Sequence, residues 1–273
     1  MSKWSVSTFK GSTWRWLATA LIACVLLVVL VVTPGGILFK ADWVGYAVCH
    51  RITERSFVIA GRQLPLCARC TGTFIGALLG LAGQALVLRR RRAANFPPAR
   101  VLIFLFAFVL FWGADGFNSY MALIGGPHVY EPQNWLRLTT GSLQGLAMSS
   151  FVYPVFNFTL WRQPSTEANV RDLRELGILV SMEVALVALV LTEWGFLLYP
   201  LAILGALGVL TLLTIVNSML LLMITRRDNL AATWPDAILP LLIGFVFSLI
   251  QIGLIDYVRY RFAGMMVGAP PMW

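Results

Sequence analysis

Apolar residues in this chain form long runs rather than the alternation of a half-buried strand or the one-sided stripe of a soluble helix. Seven stretches, 16–37, 71–88, 100–123, 136–160, 176–192, 197–224 and 237–257, are almost uninterrupted in apolar residues. Each approaches or exceeds the roughly 20 residues needed to cross a bilayer as a helix. Backbone surrounded by hydrocarbon must satisfy its own hydrogen bonds, so each is expected to be helical. The fifth and sixth runs are nearly continuous; Glu193, Gly195 and Pro200 in "TEWGFLLYP" supply a turn between them. The pattern predicts an all-α, polytopic transmembrane helix bundle of about seven spans.

Composition agrees. Of 273 residues, 59% are hydrophobic and 12% charged, and mean hydropathy is +0.79; a soluble domain carries about a quarter charged residues. The first run is too long for a signal-peptide core and lacks a small-residue cleavage site, so no cleavable leader is expected. The formal net charge is +9, but the basic residues sit in short runs beside the apolar segments. That pattern orients a membrane protein and argues against nucleic acid. The N-terminus, 89–100, 161–175 and 226–227 together hold 13 of the 21 Lys and Arg residues, with "RRRR" at 89–92 the densest run. The N-terminus is therefore expected in the cytoplasm and the C-terminus outside. The final "GMMVGAPPMW" reads as irregular chain near the interface, its Trp a candidate anchor.

Candidate chemistry is concentrated in the first long polar loop, "AVCHRITERSFVIAGRQLPLCARCTG" (47–72), which lies outside in this topology. It holds three of the four cysteines. Cys67 and Cys70 form a C-x-x-C, and Cys49-His50 lies 16 residues upstream. Thiolate and imidazole are preferred zinc ligands, and three Cys with one His make a common closed set; Cys49, His50, Cys67 and Cys70 are the expected metal ligands, with zinc as the cofactor. The same atoms fit a redox dithiol. Cys67 and Cys70 precede a helix, where the helix dipole and Arg69 lower a thiol pKa. A thiol–disulfide oxidoreductase coupled to quinone would use them, although such enzymes need a second cysteine pair and Cys24 lies within the first span. A plain structural disulfide is the third reading.

Gly72, Gly76 and Gly80 share one face of the second span and predict close packing on a neighbouring helix. Asp115, Asn118 and Ser119 share a face of the third span, and Asn134, Arg137, Gly141 and Gln144 a face of the fourth. Ionisable groups inside spans are costly and face the bundle interior. Asp115 with Arg137 is the expected ion pair. Asp115, Asn118, Asn134 and Arg137 form the candidate catalytic pocket, with Arg51, Arg55 and Arg69 nearby to hold an anionic lipid or small molecule. Glu183 and Glu193 read as buried or interfacial acids, and Asn157, Asn217 and Gln251 as helix-to-helix hydrogen-bonding groups. Asp256 with Arg259 reads as a surface ion pair, and His128 as a loop residue within reach of the site. No metalloprotease, nucleophile-elbow, P-loop or haem-attachment motif is present.

Cys49-His50, Arg55-Ser56-Phe57 and Pro65-Leu66-Cys67-Ala68-Arg69-Cys70-Thr71-Gly72 resemble an uncharacterised prokaryotic integral-membrane family, domain of unknown function 2085. Asp115-Gly116 and Asn134…Leu136-Arg137…Thr140-Gly141…Gly145 resemble its second block. The likeness spans roughly 45–147 and implies a cell-membrane location. The family has no established activity, so the resemblance says which residues travel together without giving their chemistry. Residues 1–160 then form a four-span family-like domain, and 161–273 a three-span extension of the same bundle, since many members are shorter. Beyond the lipid bilayer and an anionic ligand no partner is indicated. A transporter, or a structural subunit of a membrane complex, is the remaining alternative, although no pair of broken helices marks two matching halves.

Overall fold

The computed structural model describes residues 16–17, 19–24, 31 and 35–263. Residues 18, 25–30 and 32–34 of the first expected span, 16–37, lie outside the described residues, and so does the 264–273 tail. The other six expected spans are helices. They are α2 (Ala68–Ala82), continued by a π-helical turn over Gly83–Val87, α3 (Ala99–Leu123), α4 (Asn134–Leu160), α5 (Leu173–Leu191), α6 (Leu198–Ile224) and α7 (Trp234–Ala263). Before them comes α1 (Ile37–Val48), a helix of 12 residues where a loop was expected. It is too short to span. It buries Leu38, Ala41 and Gly45, three to four residues apart, together with Tyr46, against α6 and α7.

The chain is an all-α membrane protein, and four of its described helices are long and apolar enough to cross a bilayer: 68–87, α3, 195–224 and most of α7. The less apolar α4, with 27 residues, is also long enough, at about 40 Å for 1.5 Å per residue. It is the hub of the bundle, packing on α2, α3, α5 and α6. Surrounding helices cover its buried Ser142, Ser149, Ser150 and Asn157, so it has no need of a lipid-compatible surface. Lipid-compatible residues lie instead on outer helices, as in the exposed Ile103, Phe106, Leu110 and Phe111 of α3.

The α2–α4 seam is the closest in the fold. Cβ atoms at Gly72, Gly141 and Gly145 would collide with the carbonyl oxygens of Leu138, Arg69 and Thr73, and one at Gly76 would lie 2.7 Å from the Ser142 carbonyl oxygen. Pro154 inside α4 removes the hydrogen bond that would reach the Ser150 carbonyl; Asn169 Nδ2 supplies it instead at 2.8 Å. Between α5 and α6 the chain turns at Glu193, whose φ is +50°, and a 3-10 turn follows over Gly195–Leu197. Pro200 sits in the first turn of α6 rather than in the break, where its missing N–H costs nothing.

Two small β elements close the ends of the bundle. β1 (Val58–Ile59) and β2 (Arg62–Gln63) pair antiparallel around Ala60 and Gly61, whose φ angles of +51° and +75° suit a type I′ turn. This hairpin lies in the cysteine loop. β3 (Ala93–Asn95) and β4 (Ser165–Ala168) pair in parallel at the opposite end. There Arg90 joins Glu167 and Glu175, each at 2.7 Å, and Arg92 stacks on Trp161.

Candidate metal centre and polar pocket

The cysteines arrive on two helix ends. Cys49 is the C-terminal cap of α1, Cys67 the N-terminal cap of α2, and Cys70 lies in the first turn of α2. The ends meet because Gly45 leaves room for the Pro65 carbonyl, into which a Cβ would run. The three Sγ atoms lie within 4.8 Å of one another, and all three thiols are free. Four thiolates or imidazoles around zinc stand on bonds of about 2.0–2.3 Å, so a small contraction would suit the ion. Cys49 and Cys67 are buried, and the Cys67 N–H donates to Cys49 Sγ at 3.2 Å. The Cys49 thiol is held well below the ordinary range, because the thiols of Cys67 and Cys70 donate to it, as do the backbone N–H groups of Arg51 and Cys67, against the effect of burial. Cys67 is pushed up to about 11, first by that hydrogen bond to Cys49. Without a cation, the group readily holds one negative charge and resists the next.

His50 does not join this group. The residue reaches solvent, its ring is only partly covered, and Nδ1 accepts the Ile52 N–H at 3.1 Å. The adjacent Arg51 adopts φ +53°, which turns the chain sharply just past the cysteine. Burial depresses the His50 pKa, the Cys49 thiolate opposes this, and Arg55, Arg69 and Arg137 add to the depression. The cysteine cluster, the imidazole and these three arginines therefore lie close enough to interact. Cys24 is exposed and outside the group.

Arg51 serves the scaffold rather than the pocket. Its Nη2 donates to Asp42 Oδ1 at 2.8 Å, and Arg62 Nη2 to Asp42 Oδ2 at 2.7 Å. Gln63 Nε2 donates to the Arg51 carbonyl at 2.9 Å. Asp42 and Arg51 are both buried, and with Gln63 they lock α1 to the hairpin. The C-terminal region also reaches the loop. Arg259 on α7 donates to the carbonyls of Tyr46 and Cys49 and stacks over the Tyr46 ring at 4.2 Å. This replaces the expected Asp256–Arg259 surface pair; Asp256 is buried instead.

The structure gathers Asp115, Asn118, Asn134 and Arg137 at the same end of the bundle but assigns them different partners. Asp115 forms its ion pair with Arg69, not with Arg137. Arg69 sits in the first turn of α2, and the glycine seam brings it across to α3. Asp115 also accepts from Tyr130 Oη at 2.9 Å and Thr140 Oγ1 at 3.4 Å. Tyr130 escaped the sequence reading, since a loop tyrosine carries no periodicity that would mark it. Its phenol is pushed up to about 12, first by burial and then by the hydrogen bond to Asp115. Asn118 shapes the loop before α4, accepting the Val129 N–H at 2.7 Å and donating to the Tyr130 carbonyl at 2.8 Å. Asn134 accepts from Arg137 Nη1 at 2.8 Å and donates to the Glu54 carbonyl at 3.2 Å. Arg55 Nη2 donates to the Ser119 carbonyl and Arg69 Nη2 to Ser119 Oγ, both at 3.0 Å.

The remaining polar groups lie elsewhere. His128 bonds Glu131 and the Gly126 carbonyl, each at 3.0 Å. Glu183 is buried near the middle of α5 and accepts from Ser142 Oγ at 2.6 Å, whereas Glu193 is exposed in its turn. Asn217 bonds Ser248 at 2.9 Å and Gln251 at 3.2 Å between α6 and α7, and Asn157 bonds the Ala93 carbonyl at 2.9 Å.

Comparison with known proteins falls on this part of the chain. A family model described as "Predicted membrane protein (DUF2085)" matches residues 49–151, from the first clustered cysteine into α4. An uncharacterised protein of Methanothermobacter thermautotrophicus is 31% identical over 102 residues, covering 37% of this chain and 81% of that protein. An uncharacterised protein of Methanocaldococcus jannaschii is 27% identical over 109 residues, covering 40% of this chain and 64% of that relative. No solved structure matches. The matched segment carries the cysteine cluster, Asp115 and the arginines around it, and on that likeness the chain belongs to the DUF2085 family of prokaryotic membrane proteins.

Proposed function

We propose that Cys49, Cys67 and Cys70 hold one zinc ion at the extracytoplasmic membrane face, beside a pocket of Asp115, Asn118, Asn134 and Arg137 that takes an anionic lipid or small molecule. The observation that carries this reading is three reduced sulfurs within 4.8 Å of one another, two of them buried. Soft thiolates select zinc over hard cations, and a cation relieves the repulsion between neighbouring thiolates. With the His50 ring outside the group, the fourth position is open to water or ligand, as in zinc sites that do more than brace a fold. Orientation rests on the positive-inside rule, and the gathering of Arg89–Arg92, Arg162 and Arg171 around β3 and β4 supports it.

The test is metal content by mass spectrometry on the detergent-purified protein, with free thiols counted on the same sample. About one zinc per chain, with thiols protected until a chelator is added, is the expected result. Cys67→Ser should lose the metal and lower stability; unchanged metal and stability in that variant would refute the reading. Absence of metal, with two thiols lost to a disulfide that reductant restores, would favour thiol–disulfide exchange. Cys24 stands outside the cluster, so that alternative lacks the second cysteine pair through which electrons would pass.

A further inference from the structure

Charge in the pocket does not balance. Arg55, Arg69 and Arg137 lie close enough to repel one another, and of the three only Arg69 pairs with the carboxylate among them, Asp115. Among the described residues, Arg55 and Arg137 form no ion pair; a carbonyl and an amide oxygen hold them. Arg137 is 6% exposed, and its Nε has no hydrogen-bond partner; Nε of Arg69 is likewise buried and unpartnered. Arg51 and Arg90 also leave Nε unpartnered, but each forms an ion pair with a carboxylate through Nη. Arg137 is thus a buried guanidinium with no ion-pair contact and without a full set of acceptors. Leaving such a group unpaired is costly, and an acceptor-rich anion removes that cost.

Two helix N-termini add to the field. α2 begins at Ala68 and α4 at Asn134, both at this end of the bundle, and neither has a side-chain cap. Helix N-termini attract anions through free N–H groups and the aligned dipole. Asp115 and the negatively charged cysteine cluster offset part of the three guanidinium charges and leave a net positive charge. A phosphomonoester offers three terminal oxygens to the three forked guanidiniums, where a carboxylate or a phosphodiester offers two and a halide none. Around the pocket, Tyr120 and Trp135 are exposed, as aromatic residues are at headgroup level.

We propose that Arg55, Arg69 and Arg137 form a binding site for a phosphomonoester-type dianion, with Asp115 positioning Arg69. This rests on the reading of the pocket as anion-binding and is independent of the metal. The same chemistry is offered by free phosphate and by a phosphatidate headgroup at the membrane surface.

The experiment uses the full chain, purified in detergent and in parallel reconstituted in phosphatidylcholine nanodiscs. Thermal stability is followed against inorganic phosphate, with chloride at matched ionic strength as control. It is also followed against phosphatidate, with phosphatidylglycerol, a phosphodiester, as control. Metal content is read on every sample. Stabilisation by inorganic phosphate identifies a soluble ligand, and stabilisation by phosphatidate alone identifies a lipid. In either case Arg137→Gln and the half-buried Arg55→Gln should weaken the response at least tenfold. The Arg55→Gln arm decides the matter if Arg137→Gln does not fold. No stabilisation by either probe, equal stabilisation by the controls, or unaltered binding in Arg55→Gln would overturn the proposal. Metal retained with phosphate binding absent would leave the zinc reading standing; phosphate bound by metal-free protein would remove only the zinc reading.

Discussion

Gly145→Ala tests whether the α2–α4 seam holds the site together. A Cβ at Gly145 would run into the Thr73 carbonyl oxygen and lie 2.6 Å from Ala77 N and 3.0 Å from the Gly76 carbonyl carbon. All three are backbone atoms of α2, so no rotamer change relieves the clash and the helices must separate. Restoring ordinary contact takes about 1 Å, and a gap of that size forfeits roughly a quarter to a half of each dispersion contact it opens. Overpacking of this kind costs about 1–3 kcal/mol, against which alanine regains up to about 1 kcal/mol of helix propensity. Gly253→Ala on α7 is the matched control, since nothing lies within 4 Å of its would-be Cβ. Thermal unfolding of both variants in one detergent should place Gly145→Ala several degrees below wild type and Gly253→Ala at or above it. Because α2 carries Cys67, Cys70 and Arg69 while α4 carries Arg137, metal retention should fall with stability. Equal stability of the two variants would refute the argument.

Three further outcomes follow from particular contacts. Asp42→Asn leaves the buried Arg51 without its counter-charge and should cost about 3–5 kcal/mol, the usual penalty for removing one partner of a buried pair; a loss below about 1 kcal/mol in chemical denaturation would count against the lock between α1 and the hairpin. The depressed pKa of His50 means that its neutral form favours the folded state. Its contribution is present above the unfolded value of about 6.5 and is lost as pH falls through the lower folded value, so metal-free protein should lose stability on acidification and His50→Gln should flatten that slope. Asn118→Ala removes the hydrogen bonds that shape residues 129–130, and limited proteolysis should cut that loop faster while α4 stays intact.

Long apolar runs made the helices legible. Five of the six expected spans that fall within the described residues begin and end within three residues of the structure's helices, while α7 runs on to Ala263, beyond the expected end at 257; hydrocarbon leaves the backbone few alternatives to a helix. The C-x-x-C, the glycine spacing and the polar faces of α3 and α4 were legible for a related reason: helical periodicity converts spacing directly into a shared face. Short α1 was not legible, because 12 residues are stabilised by contacts with α6 and α7 rather than by their own pattern.

Partner choice required the tertiary structure. Sequence pairs Asp115 with Arg137 across two neighbouring faces, but an arginine side chain reaches several carboxylates, and the helix approach decides which one it meets. The α2–α4 glycine contacts draw Arg69 to Asp115 and leave Arg137 with Asn134. Likewise, adjacency in the chain put His50 beside Cys49 as a ligand, whereas the positive φ at Arg51 and the Ile52 N–H hold the imidazole apart. Residue types and periodicity specify which faces are polar and which groups can ligate. The distances between helices, set by glycines far apart in sequence, select the contacts those groups make.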